Sequence, residues 1–256
     1  DVLIIEKQDK VGGTSATSGG GIWIPNSHYA KEVGAEDSPE AAKAYLMNTL
    51  FGEDVPEEMI DIYLEKAPEM LKYLHDRTDV RYESLAEYPD YYTNMEGARE
   101  GHRSLEPAPI MASELGANWK NMTWTHFMMR MFNRIHFTQV EAHLLMVQLP
   151  GWKKLLARLM WDYIRDIPWR LKTPISRRLA CGSAGVARLY LSVLKREIPL
   201  EFNTQMVELI ADGDTVLGAV IECTGQRQRV RAAKGVILAS GGFEKSQARR
   251  EQYLPA

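Results

Sequence analysis

The chain opens on Val2, Leu3, Ile4 and Ile5, a short apolar run rich in β-branched residues, and the run stops at Glu6-Lys7. Such a run, without polar alternation, reads as a buried strand. Two glycine- and hydroxyl-rich clusters follow at once, Gly12-Gly13-Thr14-Ser15 and Ser18-Gly19-Gly20-Gly21. Glycine lets a main chain approach a flat ring or a phosphate without a Cβ in the way, and Ser and Thr hydroxyls donate hydrogen bonds. Ile22-Trp23-Ile24-Pro25 comes directly after, which makes the clusters a packed loop rather than a loose linker.

A buried strand ending in an acid has a defined use in dinucleotide-binding sheets. The second strand of the first βαβ unit ends in Asp or Glu, whose carboxylate accepts ribose hydroxyls. Glu6 stands at that place. A strand ending in a charge is common, so Glu6 gains weight only from the glycine clusters after it. The glycine fingerprint that cradles the diphosphate lies about 20 residues before such an acid, and five residues precede Glu6. That fingerprint is therefore expected upstream of Asp1. Both ends read as cut: the chain starts inside an apolar run and stops at Pro255-Ala256, shortly after a glycine pair.

Composition narrows the partners. The 256 residues suffice for one large domain or two modest ones. A formal net charge of -3 offers no basic field for nucleic acid, so no nucleic-acid partner is expected. Cys181 and Cys223 are far apart and follow no metal-ligand spacing, so no metal site is expected. A reducing, cytoplasmic setting fits both cysteines. No signal peptide is visible, and no apolar stretch approaches the roughly 18 residues of a membrane-spanning helix.

Along the chain, Ser38-Pro39-Glu40 is a cap with proline at the first helical position, which opens a helix. A second helix is expected after Val55-Pro56, where Met59, Ile62, Tyr63, Lys66, Met70 and Leu74 recur near helical spacing. Residues 82–109 carry Pro, Gly, Tyr and charge without a period and read as irregular loop. After a break at Pro150-Gly151, an apolar stripe from Trp152 through Leu155, Leu159 and Tyr163 to Ile167 predicts a helix over 152–172. Another helix fits 184–196. The last third turns to strands at 200–202, 207–211, 216–223 and 228–232, with a buried one at 235–239; Asp212-Gly213-Asp214 is a hairpin turn signal.

Three segments carry a family resemblance. Ile5-Glu6-Lys7, Gly12-Gly13-Thr14-Ser15 and Ser18-Gly19-Gly20-Gly21-Ile22-Trp23-Ile24-Pro25 resemble the second strand and flavin loop of the FAD-dependent fumarate reductase/succinate dehydrogenase flavoproteins. The Gly-Ile-Trp-Ile-Pro tail leans toward their 3-ketosteroid dehydrogenase (3-oxosteroid 1-dehydrogenase) branch. The stretch from Asn203 to Ile210 resembles the family strand whose backbone meets the adenine, here at Val207. Val236-Ile237-Leu238-Ala239-Ser240-Gly241-Gly242-Phe243-Glu244 resembles the strand-to-loop return to the cofactor. The resemblance implies FAD held by Glu6, Lys7, Gly12, Gly13, Thr14, Ser15, Ser18, Gly19, Gly20, Val207, Ala239, Gly241 and Gly242. No histidine stands at a family attachment position, which implies noncovalent binding. The helix from Gly182 to Leu189 resembles the one before the adenine strand and is assigned packing, with no chemistry.

Tyr88-Pro89-Asp90-Tyr91-Tyr92, followed by Gly101-His102-Arg103, resembles the Pro-Asp-Tyr loop of the 3-ketosteroid Δ1-dehydrogenases and their later Gly and Arg. The resemblance implies that Tyr91 is a catalytic residue at the steroid A-ring, hydrogen-bonded to a second tyrosine that acts as base. A phenol has a pKa of about 10, so it serves as a base only where neighbours stabilise phenolate. Without the resemblance, Tyr91 and Tyr92 read as amphipathic loop tyrosines covering core. His102 is given no base role, and Arg103 reads as a structural ion-pair partner rather than a substrate clamp. The implied reaction is 1,2-desaturation of a 3-ketosteroid: a base takes a proton from C2, hydride leaves C1 for flavin N5, and donors at the C3 oxygen stabilise the enolate. Base and donors are expected after residue 256, and the electron acceptor is open.

The fold implied is α/β, a doubly wound, Rossmann-like FAD-binding domain interrupted by a mostly helical substrate-domain portion. The expected division is 1–80 and 181–256 for the FAD-binding domain and 81–180 for the substrate-side insertion. Within that insertion, 152–172 reads as an amphipathic helix covering the substrate side. Its basic flanks, with Trp161 and Trp169, make peripheral contact with the inner membrane face the alternative. Other functional readings are a fumarate-reductase-like enzyme acting on a small dicarboxylate, which would need arginine and histidine at its substrate, a Δ4-type ketosteroid dehydrogenase, and a non-catalytic membrane-surface fragment.

Overall fold

The computed structural model describes residues 1–243 and 246–254; Glu244, which ends the last matched segment, and Pro255-Ala256 lie outside the described residues. In chain order the elements are β1 (Ile4–Ile5), α1 (Gly13–Thr17), β2 (Ile22–Trp23), α2 (His28–Glu32), α3 (Pro39–Asn48), α4 (Glu57–Arg77), β3 (Tyr82–Ser84), β4 (Ser104–Pro107) and β5 (Ile110–Met111). Two 3-10 turns, Ala112–Asn121 and Phe127–Met129, lead into β6 (Arg130–Met131) and β7 (Ile135–His136). Then come α5 (Gln139–Met146), α6 (Trp152–Arg165), α7 (Ile167–Arg170), β8 (Arg178–Leu179), α8 (Cys181–Lys195), β9 (Leu200–Glu201), β10 (Thr204–Asp212), β11 (Thr215–Cys223), β12 (Gln226–Arg231) and α9 (Gln247–Tyr253). The chain divides into two units, Asp1–Asp9 with Pro199–Ala256, and Lys10–Ile198.

In the first unit β1 runs parallel to β9, with Ile4 opposite Leu200 and Ile5 opposite Glu201. β10, β11 and β12 form an antiparallel meander. The Asp212-Gly213-Asp214 signal produces its hairpin: Asp212 pairs with Thr215, and Gly213 takes φ 57. The expected buried strand at 235–239 is corrected. Among the described residues this segment has no strand pairing, and Ile237 is 94% exposed. A parallel strand is buried only when neighbours flank it and helices cover it, and its apolar composition cannot substitute for those neighbours.

The second unit shows why the helical signals succeed and where they mislead. Ser38 caps α3, its hydroxyl accepting the N–H of Ala41 at 3.0 Å, with Pro39 next in line. α4 starts after Pro56 as expected, but the buried stripe is Ile60, Leu64, Ala67 and Leu71. Met59, Ile62, Tyr63 and Met70, the stripe read from the sequence, lie largely exposed. Both stripes have helical spacing; the helix buries Ile60 and Leu64 against Ala42 of α3, and Ala67 and Leu71 against a sheet. That sheet, β2-β4-β3, corrects the reading of 82–109 as wholly irregular. Its central strand β4 carries Leu105, which packs with Ile24, Tyr29, Ala67 and Leu71. The expected helix over 152–172 breaks at Asp166, which leaves helical geometry at ψ 54; Pro168, without an N–H to continue a helix from before it, sits in the first turn of the new helix α7. Leu155 and Leu159 on α6 pack against Ile135 of β7. Trp169, which the membrane-face alternative places at a surface, is buried, and its Nε1 donates to the Ile175 carbonyl at 3.0 Å. α8 begins three residues earlier than the 184–196 reading, at Cys181.

Candidate functional site

The Pro-Asp-Tyr loop is built from its aspartate outward. Asp90 is buried, and its carboxylate accepts from Arg103 Nη1 at 2.9 Å, from Trp23 Nε1 at 2.6 Å and from the Arg99 N–H at 2.9 Å. Arg103 also reaches Asp37, through Nε at 2.9 Å and Nη2 at 2.7 Å, and donates to the Gly97 carbonyl. Its guanidinium lies 5.7 Å from the Trp23 ring centre and 5.8 Å from that of Tyr45. Burial alone would push the Asp37 carboxyl up; the bond and charge of Arg103, with the N–H groups of Ser38 and Asn26, outweigh it and hold the carboxyl below the usual range. Arg103 is thus the structural ion-pair partner the sequence suggested. The Gly-Ile-Trp and Pro-Asp-Tyr motifs are clipped together through Trp23 and Asp90.

This clip frames a cleft of about 390 Å³ lined by Trp23, Tyr45, Leu85, Tyr88, Tyr91 and Gln139 among others. The volume lies in the range of small-molecule sites. While Asp90 is buried, the adjacent Tyr91 is 84% exposed, so its ring faces the cleft and solvent rather than covering core. Tyr92 is held by its N–H donating to the Tyr45 hydroxyl at 3.2 Å and by an edge contact to Phe51. The Tyr88 hydroxyl is hydrogen-bonded to Tyr91; that bond first, then burial and the neighbouring phenol's charge, pushes the Tyr88 phenol up and keeps it neutral. Sequence reading missed Tyr88, since nothing in a tyrosine two residues before Asp90 announces such a bond. It also missed Gln139, whose backbone N–H is fixed at 2.7 Å by the fully buried Glu106 at the start of α5. Burial pushes the Glu106 carboxyl up, against the N–H groups of Gln139 and Val140.

The glycine clusters behave in two ways. Gly13-Thr14-Ser15 is exposed, at the start of α1 rather than in an irregular loop, and a Cβ on Gly13 would meet nothing within 4 Å. Gly20 is needed for packing instead: a Cβ there would come within 2.7 Å of the Gly182 backbone. Gly182, assigned only packing, turns out to be the floor of the loop. Its own Cβ would lie 2.0 Å from the Ser15 carbonyl, and its N–H donates to Ser18 O at 3.1 Å. The Ser18 hydroxyl, expected to face a ligand, donates to Ser15 O and accepts the Gly20 N–H, shaping the loop itself. Gly182→Ala should therefore lower stability by roughly 1–3 kcal/mol, the range for overpacking against atoms that cannot yield. Thermal unfolding of the variant measures this, and an unchanged melting temperature would refute the close packing.

In the first unit, Glu6 is tied at both backbone groups: its N–H donates to Glu201 O at 2.8 Å and its carbonyl accepts from Thr204 at 3.0 Å. Glu6 Oε1 accepts the Gln8 N–H at 2.9 Å, which fixes the carboxylate at the strand end. Lys7 next to it is exposed. Val207 stands at a β-bulge, where Met206 pairs with Ile221 and Glu208 with Val220. A bulged residue is left out of the ladder, so Val207 stands outside the pairing of β10 with β11. Ala239, Gly241 and Gly242 are exposed, and Gly241 takes φ 78 with nothing within 4 Å of a built Cβ. A fixed acid at a strand end, an unpaired strand backbone and open glycines suit a nucleotide cofactor.

The comparisons agree. The FAD binding domain family matches residues 1–256. The chain is 35% identical over 254 residues to a 3-oxosteroid 1-dehydrogenase of Comamonas testosteroni, covering 98% of this chain and 44% of that protein. It is 32% identical over 265 residues to a 3-oxosteroid 1-dehydrogenase of Mycobacterium tuberculosis (strain ATCC 25618 / H37Rv), covering 99% and 45%. The crystal structure of 3-ketosteroid delta1-dehydrogenase from Sterolibacterium denitrificans, in complex with 1,4-androstadiene-3,17-dione, superposes with a TM-score of 0.93 at 38% identity, over 100% of this chain and 46% of that one. The α/β FAD-binding fold is thereby established, and the chain spans less than half the length of these relatives. The chain belongs to the FAD binding domain family, and its cofactor is FAD.

Proposed function

We propose that the protein carrying this chain dehydrogenates a 3-ketosteroid between C1 and C2. The observation that carries the reading is the cleft. Its walls are aromatic, it is anchored by the Trp23–Asp90–Arg103 clip, and among the described residues none of its lining side chains is basic. A flat apolar ketone suits such walls, whereas a dicarboxylate would need cations there. FAD, when bound, supplies the hydride acceptor. We assign its noncovalent contacts to Glu6, Lys7, Gly13, Thr14, Ser15, Gly19, Val207, Ala239, Gly241 and Gly242, with Gly12, Ser18 and Gly20 shaping the loop. Residues 1–80 and 181–256 would serve the cofactor and 81–180 the substrate, with Trp23, Tyr45 and Phe51 of the first part adding walls to the substrate cleft.

Tyr91 is the catalytic residue of this chain in that reading. Its hydroxyl holds a proton at the cleft rim, and the Tyr88 hydroxyl bonded to it orients it. Asp90 sets where the ring stands, because its carboxylate is fixed by three donors. The base and the donors to the C3 oxygen are expected from the remainder of the protein, and the electron acceptor is a further partner. The test is the visible spectrum of the full-length protein under anaerobic conditions. Bleaching of the flavin by a 3-ketosteroid supports the reading. A flavin indifferent to steroids, whose reduced form is reoxidised by fumarate, overturns it in favour of the dicarboxylate chemistry.

Peripheral membrane contact by a cytoplasmic enzyme is a second reading, favoured by one exposed surface. No helix among the described residues is long and apolar enough to cross a membrane. Trp161, Ile164, Ile167 and Leu171 are exposed beside Lys153, Lys154 and Arg165, though Trp169 has left that surface for the core. An apolar strip with basic flanks suits an interface. In liposome flotation, the full-length protein is expected to rise with anionic vesicles, less so after Trp161→Ala with Leu171→Ala. Protein that stays in solution sinks this reading.

A further inference from the structure

β6 and β7 form a two-stranded antiparallel ladder in which Arg130 stands opposite His136. Directly opposed residues project to the same face, so the guanidinium and the imidazole share one side of the hairpin. His136 is 1% exposed. Its Nδ1 lies 3.0 Å from the Ser176 hydroxyl, which itself donates to the Arg178 carbonyl at 2.9 Å. A hydroxyl has one proton, so Nδ1 is the donor to Ser176. Nε2 is buried without a partner, and so are Nε and Nη1 of Arg130.

Two orphaned donors and one orphaned acceptor on one face mark a built polar site. A bridging water would satisfy the hydrogen bonds, but it would leave the guanidinium charge without a counter-charge. Among the described residues no carboxylate is paired with Arg130. The other cation facing His136, Arg178, is already held by Glu141 at 2.8 Å, and Arg158 holds the same carboxylate at 2.9 Å. Arg130 is half-buried, but its Nε and Nη1 are shut from water without a partner, and a small anion placed against them offsets that cost.

We propose that Arg130 and His136 bind one small monovalent anion, of halide or formate size, together with a proton on His136 Nε2. The proton is required by chemistry. The lone pair of a neutral Nε2 repels an anion, while a protonated Nε2 donates to it. Without the anion, burial first, then the charges of Arg130 and Arg178, holds the imidazole down at about 3. The anion offsets both charges and lets the proton in. One proton taken up per anion makes the affinity rise about tenfold for each unit of falling pH. Trp124, whose ring centre lies 6.3 Å from that of His136, adds no titrating group.

The experiment uses the full-length protein at constant ionic strength, with bromide replacing gluconate, followed by thermal unfolding between about pH 6 and pH 8. A saturable rise in melting temperature is expected, with the bromide affinity falling about tenfold per pH unit. His136→Asn should abolish the pH slope and Arg130→Gln the rise. Should Arg130→Gln fail to fold, anomalous scattering from wild-type crystals in bromide decides: a peak between Arg130 and His136 supports the site. No saturable rise, an affinity independent of pH, or density without an anomalous peak would each overturn it. None of these readouts depends on steroid turnover.

Discussion

Replacing Arg103 by alanine is expected to lower the stability of the full-length protein by about 3–5 kcal/mol, the cost of breaking a buried ion pair from one side. The side chains of Arg103, Asp90 and Asp37 are 2%, 1% and 8% exposed, so the variant leaves two buried carboxylates without the cation between them, Asp37 keeping Arg99 at 3.5 Å and Asp90 only its neutral N–H donors. Lysine should recover only part of the loss, because an ammonium cannot span Asp37, Asp90 and the Gly97 carbonyl as the guanidinium does. The pH dependence separates charge from packing. In the wild type Asp37 is held below its ordinary value, so its contribution is full above about pH 4 and is lost as pH falls through the folded-state value. In the variant, burial is no longer outweighed by Arg103, the carboxyl moves up, and the protein gains relative stability on acidification. The gap between wild type and variant should therefore narrow from neutral pH toward pH 4 in urea unfolding. A gap below about 1 kcal/mol, or one that does not change with pH, would show that the clip does not hold the loop.

That network also shows what a sequence can and cannot disclose. Glu6, the glycine clusters and the Pro-Asp-Tyr loop stood out as candidates because the signals are local: a strand end, bare backbone, a short string. The cap at Ser38 and the hairpin at Asp212-Gly213-Asp214 were legible for the same reason. Contacts between distant segments were not. Trp23 and Asp90 are 67 residues apart, and neither residue type predicts the other. Gly182 looked like an ordinary helical glycine until the loop it supports came within 2.0 Å of its missing Cβ. On α4 the apolar residues form two stripes of equal period, and only the partners, α3 and the sheet, decide which is buried. Residues 235–239 fail in the opposite sense, an apolar run whose burial depends on neighbouring strands rather than on its own composition.

Tyr91→Phe should lower the rate of 3-ketosteroid dehydrogenation by about 10²–10⁴-fold, the span of a positioned proton-transfer group, while shifting stability by less than about 0.5 kcal/mol. The contrast follows from where the side chain lies. The ring is 84% exposed and its hydroxyl engages Tyr88 rather than the core, so the fold loses little with it. Asp90 would still be fixed by Arg103 and Trp23, and the loop would keep its place. Tyr88→Phe removes the neighbour and leaves the reacting phenol, so about a tenfold loss is expected, equivalent to one hydrogen bond of about 1.4 kcal/mol. Anaerobic stopped-flow bleaching of the flavin measures both variants on the chemical step, with steroid affinity read separately from its concentration dependence. A role in chemistry predicts a fall in the limiting rate with affinity nearly kept. If Tyr91→Phe instead weakened affinity and left the limiting rate intact, Tyr91 would be a wall of the cleft, and the proton would have to be handled wholly by residues outside this chain.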